Sequence, residues 1–331
     1  MSDHDDNRTS ASEAGRITAR ALGGRRIRVL AHGGTSWRFL IQDERYLYWT
    51  DREDGTLTRL PKDGGIPLVL ATGQKGIRAV TLSGGWFYWT TEDKVVRMPE
   101  EGSEIEVIAH DADEPHSLAV HEGAVFWTTS GDMLATGKVK MARPGDPRVT
   151  AIAEQQKQPS SIAVDASHVH WANHGVKRPD YFQDGSVVCA PRDGSDNPVV
   201  VAGEQRLASS VAVDEAWIYW LTAGGYDEAG KERGTLRKRR KDGGEIVELA
   251  SWDWNDGGVL ALDATHVYWL AAIHPGLFRV RKEGGETEQL LDREPGAQGV
   301  LPHGLVVDAR CVYWTVWDAQ RAGGAVFKMA K

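Results

Sequence analysis

Counted eleven residues back from each of seven recurring tryptophans, the chain carries Arg38, Arg78, His116, Ser160, Ser209, Gly258 and His303. Four of these seven positions hold arginine or histidine, and the four belong to consecutive copies once the seventh copy is set beside the first. Two guanidinium groups near one another can grip a carboxylate or similar oxyanion through paired charge-assisted hydrogen bonds. An imidazole beside them can act as a further cationic partner or as a general base. The other three positions are small, so half of any ring built from this column is cationic and half is open.

Aromatic residues are placed to cover what such a crescent would hold. The segments that follow the repeat tryptophans are longest in the fourth and fifth copies and contain His174, Lys177, Arg178, Tyr181 and Phe182, then Tyr226, Asp227 and Glu228. Trp37, Trp252, Trp254 and Trp317 also lie in segments expected on the same face. The expected ligand set is Arg38, Arg78, His116, His303, Trp37, His174, Tyr181, Tyr226, Trp254 and Trp317, and the expected ligand is a small anion with an aromatic or peptide-like remainder. For an enzyme, His116 or His303 would be the base, with Glu92 or Asp51 as carboxylate partner. No phosphate-binding glycine loop, Cys-x-x-Cys or His-Glu-x-x-His occurs, so no cofactor and no metal site is expected. His32, His110 and His168 read as surface residues.

These residues need a scaffold, and the repeat supplies it. The tryptophans fall in Tyr48-Trp49, Tyr88-Trp89, Phe126-Trp127, His170-Trp171, Tyr219-Trp220, Tyr268-Trp269 and Tyr313-Trp314, spaced 38 to 49 positions apart. That period is one four-stranded propeller blade, a unit that cannot bury both faces without neighbours. Within each copy an apolar strand precedes the Tyr-Trp strand, and a third strand runs into a turn such as Lys62-Asp63-Gly64-Gly65 or Lys241-Asp242-Gly243-Gly244. Asp-Gly between β-rich runs marks a hairpin whose central residues take positive φ. The last copy has three strands, and residues 25–31 match a fourth strand that lacks its first three. The expected fold is therefore all-β: a seven-bladed β-propeller of four-stranded antiparallel blades, closed by an N-terminal strand in the last blade. Residues 1–24 are expected as a disordered polar tail and lead-in, and residues 25–331 as a single propeller domain.

Tyr48-Trp49-Thr50-Asp51 and Pro302-His303-Gly304-Leu305-Val306-Val307-Asp308 resemble the repeat of the YWTD propellers found in lipoprotein-receptor ectodomains. The resemblance covers residues 25–331 and implies architecture. It departs from those domains in having seven copies where they have six, and in keeping the full Tyr-Trp-Thr-Asp only once. Receptor propellers of this kind imply a protein-binding top face. Seven-bladed relatives such as streptogramin lyase imply a histidine base near the same mouth, and bacterial stand-alone propellers suggest an accessory role in natural-product metabolism.

A formal net charge of -8 argues against wholesale binding to nucleic acid or an anionic membrane. The basic run Arg237, Lys238, Arg239, Arg240 and Lys241 falls in a third strand, where alternate side chains face opposite ways, and is expected to be a solvated blade edge. No run of eighteen apolar residues occurs, and the acidic start has no apolar stretch of a signal peptide, so a cytoplasmic location is expected. Cys189 and Cys311 lie in different copies and are expected to stay unpaired. Three classes of function remain: a small-molecule binder as the leading one, a lyase or hydrolase, and a protein-interaction scaffold.

Overall fold

The computed structural model describes residues 19–331 apart from 103, 111, 130, 132–135, 179–180, 227–231, 254–256, 272–275, 294–299 and 319–322. The described residues form strands and turns, with no helix.

Seven antiparallel sheets stand around a central channel. Blade one is Trp37–Gln42, Tyr46–Asp51, Thr56–Pro61 and Leu68–Ala71, counted outward from the channel. Blades two to six repeat this order, opening with Val80–Ser83, Pro115–His121, Pro159–Val164, Ser210–Val213 and Gly258–Leu262. Blade seven takes Val300–Val307, Cys311–Asp318 and Gly323–Ala330 from the end of the chain and Ile27–Gly33 from its beginning. Val29 pairs with Phe327 and Arg28 with Lys328, so the ring closes as the repeat count requires. The lead-in is more ordered than expected: Ala19–Ala21 pairs with Leu291, Asp292 and Arg293 as a fifth strand on blade six. Residues 1–18 lie outside the described residues.

The repeat tryptophans sit where blade packs on blade. Trp49, Trp89, Trp127, Trp171, Trp220, Trp269 and Trp314 are each almost fully buried. Their indole N–H groups cannot go unpaired in such a place. Trp89, Trp171 and Trp220 donate to Gln74, Gln156 and Gln205 at 3.2, 2.9 and 2.9 Å, and Trp127 to the Ala112 carbonyl at 3.1 Å. The Asp-Gly turns fall where expected, but positive φ is taken by the two glycines, 93° and 141° at Gly64 and Gly65 and 107° and 98° at Gly243 and Gly244, and not by Asp63 or Asp242.

A second repeating contact ties neighbouring blades together on the bottom face. The tyrosine before the tryptophan donates its hydroxyl to the aspartate five residues earlier: Tyr48 to Asp43, Tyr219 to Asp214, Tyr268 to Asp263 and Tyr313 to Asp308, at 2.6 to 3.0 Å. In blade four, His170 Nε2 takes the tyrosine's place, 2.9 Å from Asp165. Each of four aspartates also receives a lysine from the end of the next blade's third strand. Lys62 reaches Asp308 at 3.0 Å, Lys241 reaches Asp165 at 2.7 Å, Lys282 reaches Asp214 at 2.9 Å, and Lys331 pairs with Asp263. At the seam between blades one and two, Glu100 takes the lysine's place. Its backbone N–H bonds Gly85 O as that of Lys62 bonds Arg45 O, and its charge adds to the burial and the Asp43 contact that raise the pKa of Tyr48.

The basic run of blade five is absorbed by the fold. Arg237 bonds Gln205 and pairs with Glu248, Lys238 bonds the Lys282 carbonyl, Arg239 bonds Val201 O, and Arg240 pairs with Asp242. Cys189 and Cys311, in blades four and seven, are both free.

Candidate functional site

The residues eleven before each tryptophan lie at the top rim of the innermost strands. There the pairing of first and second strands slips by a residue. Pro115 faces Thr129 and Ser117 faces Thr128, leaving His116 as the extra residue. Ser160 is likewise extra between Pro159 and Ser161, as is His303 between Pro302 and Gly304. In blade one the slip falls between Trp37 and Leu40. In blade two, Thr90 bonds both Arg78 N–H and Ala79 O. A β-bulge bends the strand and re-aims the extra side chain out of the ladder. The shared spacing therefore has a mechanical cause in blades one to four and seven, where the same bulge turns a side chain out of the ladder at the mouth; in blade six Gly258 stays in register opposite Ala271.

A cavity of about 400 Å³ opens there, lined by Phe39, Arg52, Arg78, His116 and His303. Three of the four crescent residues thus share one recess. The fourth, Arg38, has its backbone on the bulge, but its side chain lies outside the described residues. Arg52 and Phe39 were not anticipated. Arg52 follows the last residue of a second strand, and its N–H bonds Ser36 O. Phe39 is the neighbour that the slip in blade one brings round.

Among the described residues, no carboxylate lines this cavity. Arg78 is half-buried, and its Nε is buried with no hydrogen-bond partner among the described residues. Burial lowers its pKa and the charge of Arg52 lowers it further, against weaker opposing effects of Glu114 and Glu92. The imidazoles respond in the same way. Burial pushes the pKa of His116 below its usual value, and Arg78 and Arg52 add to this against the hydrogen bond that His116 donates to the Ser160 carbonyl. His174 is held at about 4 by burial and by the proximity of His116. His116 and His174, expected as ligand partners, are thus biased toward the neutral form, both of them first by burial, His116 also by the two arginines and His174 by His116.

Other expected residues fall elsewhere. Trp37 is a core residue: its ring packs on Trp49 with centroids 4.9 Å apart, in space left by the missing Cβ atoms of Gly34 and Gly324. Trp317 reaches from blade seven to donate to Thr35 O at 2.7 Å and is not among the described residues that line the cavity. Glu92 is half-exposed, lies 3.9 Å from Lys75 and acts on Arg78 through its charge, and it is not among the described residues that line the cavity. Asp51 accepts five hydrogen bonds from residues 35, 36, 53 and 54 and organises that turn. Trp254 lies outside the described residues, as do the side chains of Tyr181 and Tyr226. The expected long loops are in part sheet: Val176–Arg178 pairs with Tyr181–Gln183 as a small ribbon, and in blade five the second and third strands run on to Tyr226 and Glu232.

No protein-family model and no curated protein sequence matches the chain. Solved structures do. A streptogramin B lyase aligns over 93% of this chain and 98% of its own with a TM-score of 0.68 and 10% identity. The Cps50 (Swd1) β-propeller domain of Myceliophteria thermophila aligns over 92% and 99%, at 0.65 and 9%. A chain of a nidogen/laminin complex aligns over 72% and 90%, at 0.50 and 17%. At such identities the likeness is one of fold, and the fold is a seven-bladed β-propeller.

Proposed function

We propose that this propeller binds a small organic anion at the top-face mouth of its channel. The observation that carries the reading is a recess walled by Arg52, Arg78, His116 and His303, with no carboxylate among the described residues that line it and with the Arg78 guanidinium half-buried beside Arg52. Two like charges held close together and partly buried are costly unless an anion joins them. A volume of about 400 Å³ suits a metabolite-sized ligand, and Phe39 supplies an apolar wall. The Tyr-Trp repeat and its aspartate partners support kinship with the YWTD propellers, which speaks for the scaffold rather than for a ligand.

The test is calorimetric titration of wild type and Arg78→Ala with a panel of aliphatic and aryl carboxylates and phosphomonoesters. At least one member should bind wild type and lose about 1.5 to 3 kcal/mol in the variant. Arg78→Lys should restore only part of this, since the planar fork is lost. Equal affinity in wild type and Arg78→Ala would refute the site.

A second reading is catalytic. His116 and His174 are buried and held neutral, the state a general base needs at neutral pH, and a streptogramin B lyase shares the fold. Turnover of a bound anion that is lost in His116→Ala, with binding kept, would favour it over simple binding.

A further inference from the structure

We infer that the anion received at the mouth also carries a hydrogen-bond donor beside its acidic group, a hydroxyl or an amide N–H, and that Nε2 of His116 accepts from it. This rests on the reading of the mouth as an anion site and specifies what kind of anion fits.

The tautomer of His116 decides the matter. Its Nδ1 lies 3.1 Å from the carbonyl oxygen of Ser160 in the next blade. A carbonyl only accepts, so Nδ1 holds a proton and donates it. The acceptor is itself well placed, because the Ser160 hydroxyl lies 3.1 to 3.3 Å from the carbonyls of Ala172, Ala208 and Ser209. A second proton on the ring is disfavoured by burial and by both arginines. The remaining nitrogen, Nε2, then carries a lone pair, and it has no hydrogen-bond partner among the described residues. His116 lines the cavity together with Arg52 and Arg78, whose guanidinium groups can only donate. The wall thus offers several donors and one identified acceptor. A bare carboxylate would satisfy the donors and leave the acceptor desolvated and unmatched, which costs affinity. A 2-hydroxy acid or an N-acyl amino acid satisfies both.

The experiment uses matched probes that differ by one donor: malate against succinate, citrate against tricarballylate, and 3-phenyllactate against 3-phenylpropionate, titrated into the full chain at pH 7.5. The hydroxy member of a binding pair should bind about 5- to 10-fold more tightly to wild type. His116→Phe should bind both members alike, and His116→Gln, which keeps one donor and one acceptor, should recover part of the preference. Nitrogen NMR of the wild-type imidazole gives a readout that needs no variant, with the Nε2 signal moving for the hydroxy member and not for its partner. If both members bind wild type equally and both are lost in Arg78→Ala, the anion site stands and the donor requirement falls. If no pair binds, or binding ignores Arg78, both fall together.

Discussion

At the scale of single residues, the mouth is a place where stability has been traded against charge. Arg78 sits half-buried, repelled by Arg52 and with its Nε unpartnered among the described residues. Replacing it with methionine removes the desolvated charge and keeps the hydrocarbon. The ligand-free melting temperature of Arg78→Met is therefore expected to equal or exceed that of wild type, while anion binding is lost. A sharp fall in melting temperature would mean that Arg78 holds the rim together. The histidines set a pH signature. Burial lowers the pKa of His116, His170 and His174 below the unfolded value near 6.5, to about 4 for His174. The unfolded chain then binds more protons in this range, so the stability these rings contribute is intact above about pH 6.5 and declines as pH falls toward 4. Thermal melts across that window should show the decline, and His174→Gln should shallow it. Binding tied to a neutral His116 should likewise weaken on acidification, opposite to the trend for cationic histidine partners.

At the scale of elements, the bottom-face contacts make the seams unequal. Asp263 takes the Tyr268 hydroxyl, the Lys331 ammonium and the backbone N–H groups of Thr265 and His266. Burial pushes its carboxyl pKa up, but these partners overcome that and hold it well below the usual carboxylate range. Asp263→Ala leaves several donors unmatched and should cost about 2 to 4 kcal/mol in denaturant unfolding. The seam between blades one and two lacks its lysine, because Glu100 stands there. Glu100→Lys should let the new side chain meet Asp43 and stabilise the fold by about 0.5 to 1 kcal/mol, the range of a partly exposed pair. No gain in melting temperature would show that the seam is not limited by this contact. The strand order, the blade period and the Asp-Gly turns were all legible in the repeat, because packing of identical units forces identical spacing. The column of mouth residues was legible for the same reason, since the bulge falls at a fixed distance from the tryptophan. Arg52 and Phe39 were not, because they depend on how a slip in one blade swings the adjacent residues. Trp37 misled because two glycines make room for its ring in the core, a matter of local shape that periodicity does not carry.

At the scale of the whole molecule, closure depends on a strand far in sequence from its partners. Ile27–Gly33 pairs along the length of Gly323–Ala330, and without it the last blade presents an unpaired edge. Deleting residues 1–15 should leave the melting temperature nearly unchanged, and deleting through Ala31 should lower it sharply. Equal melting of the two truncations would contradict the closure. Ala19–Ala21 adds a smaller hold on blade six, reinforced by Arg25, which reaches Glu288 at 2.6 Å. The N-terminal segment therefore spans the seam between blades six and seven like a clasp.

That clasp also gives the two ends of the described residues different addresses. Ala19 pairs with Arg293 beyond Leu291, and Leu291 faces Leu277 at the upper start of a third strand, so the chain enters on the side of the cavity. Lys331 bonds Arg310 O and Asp263 on the opposite side. A tether at the C-terminus would hold the disc with its mouth turned to solvent. A fusion placed ahead of Ala19 would share a face with the recess, and any binding measured on such a fusion should be compared with the same protein carrying its tag on the other end.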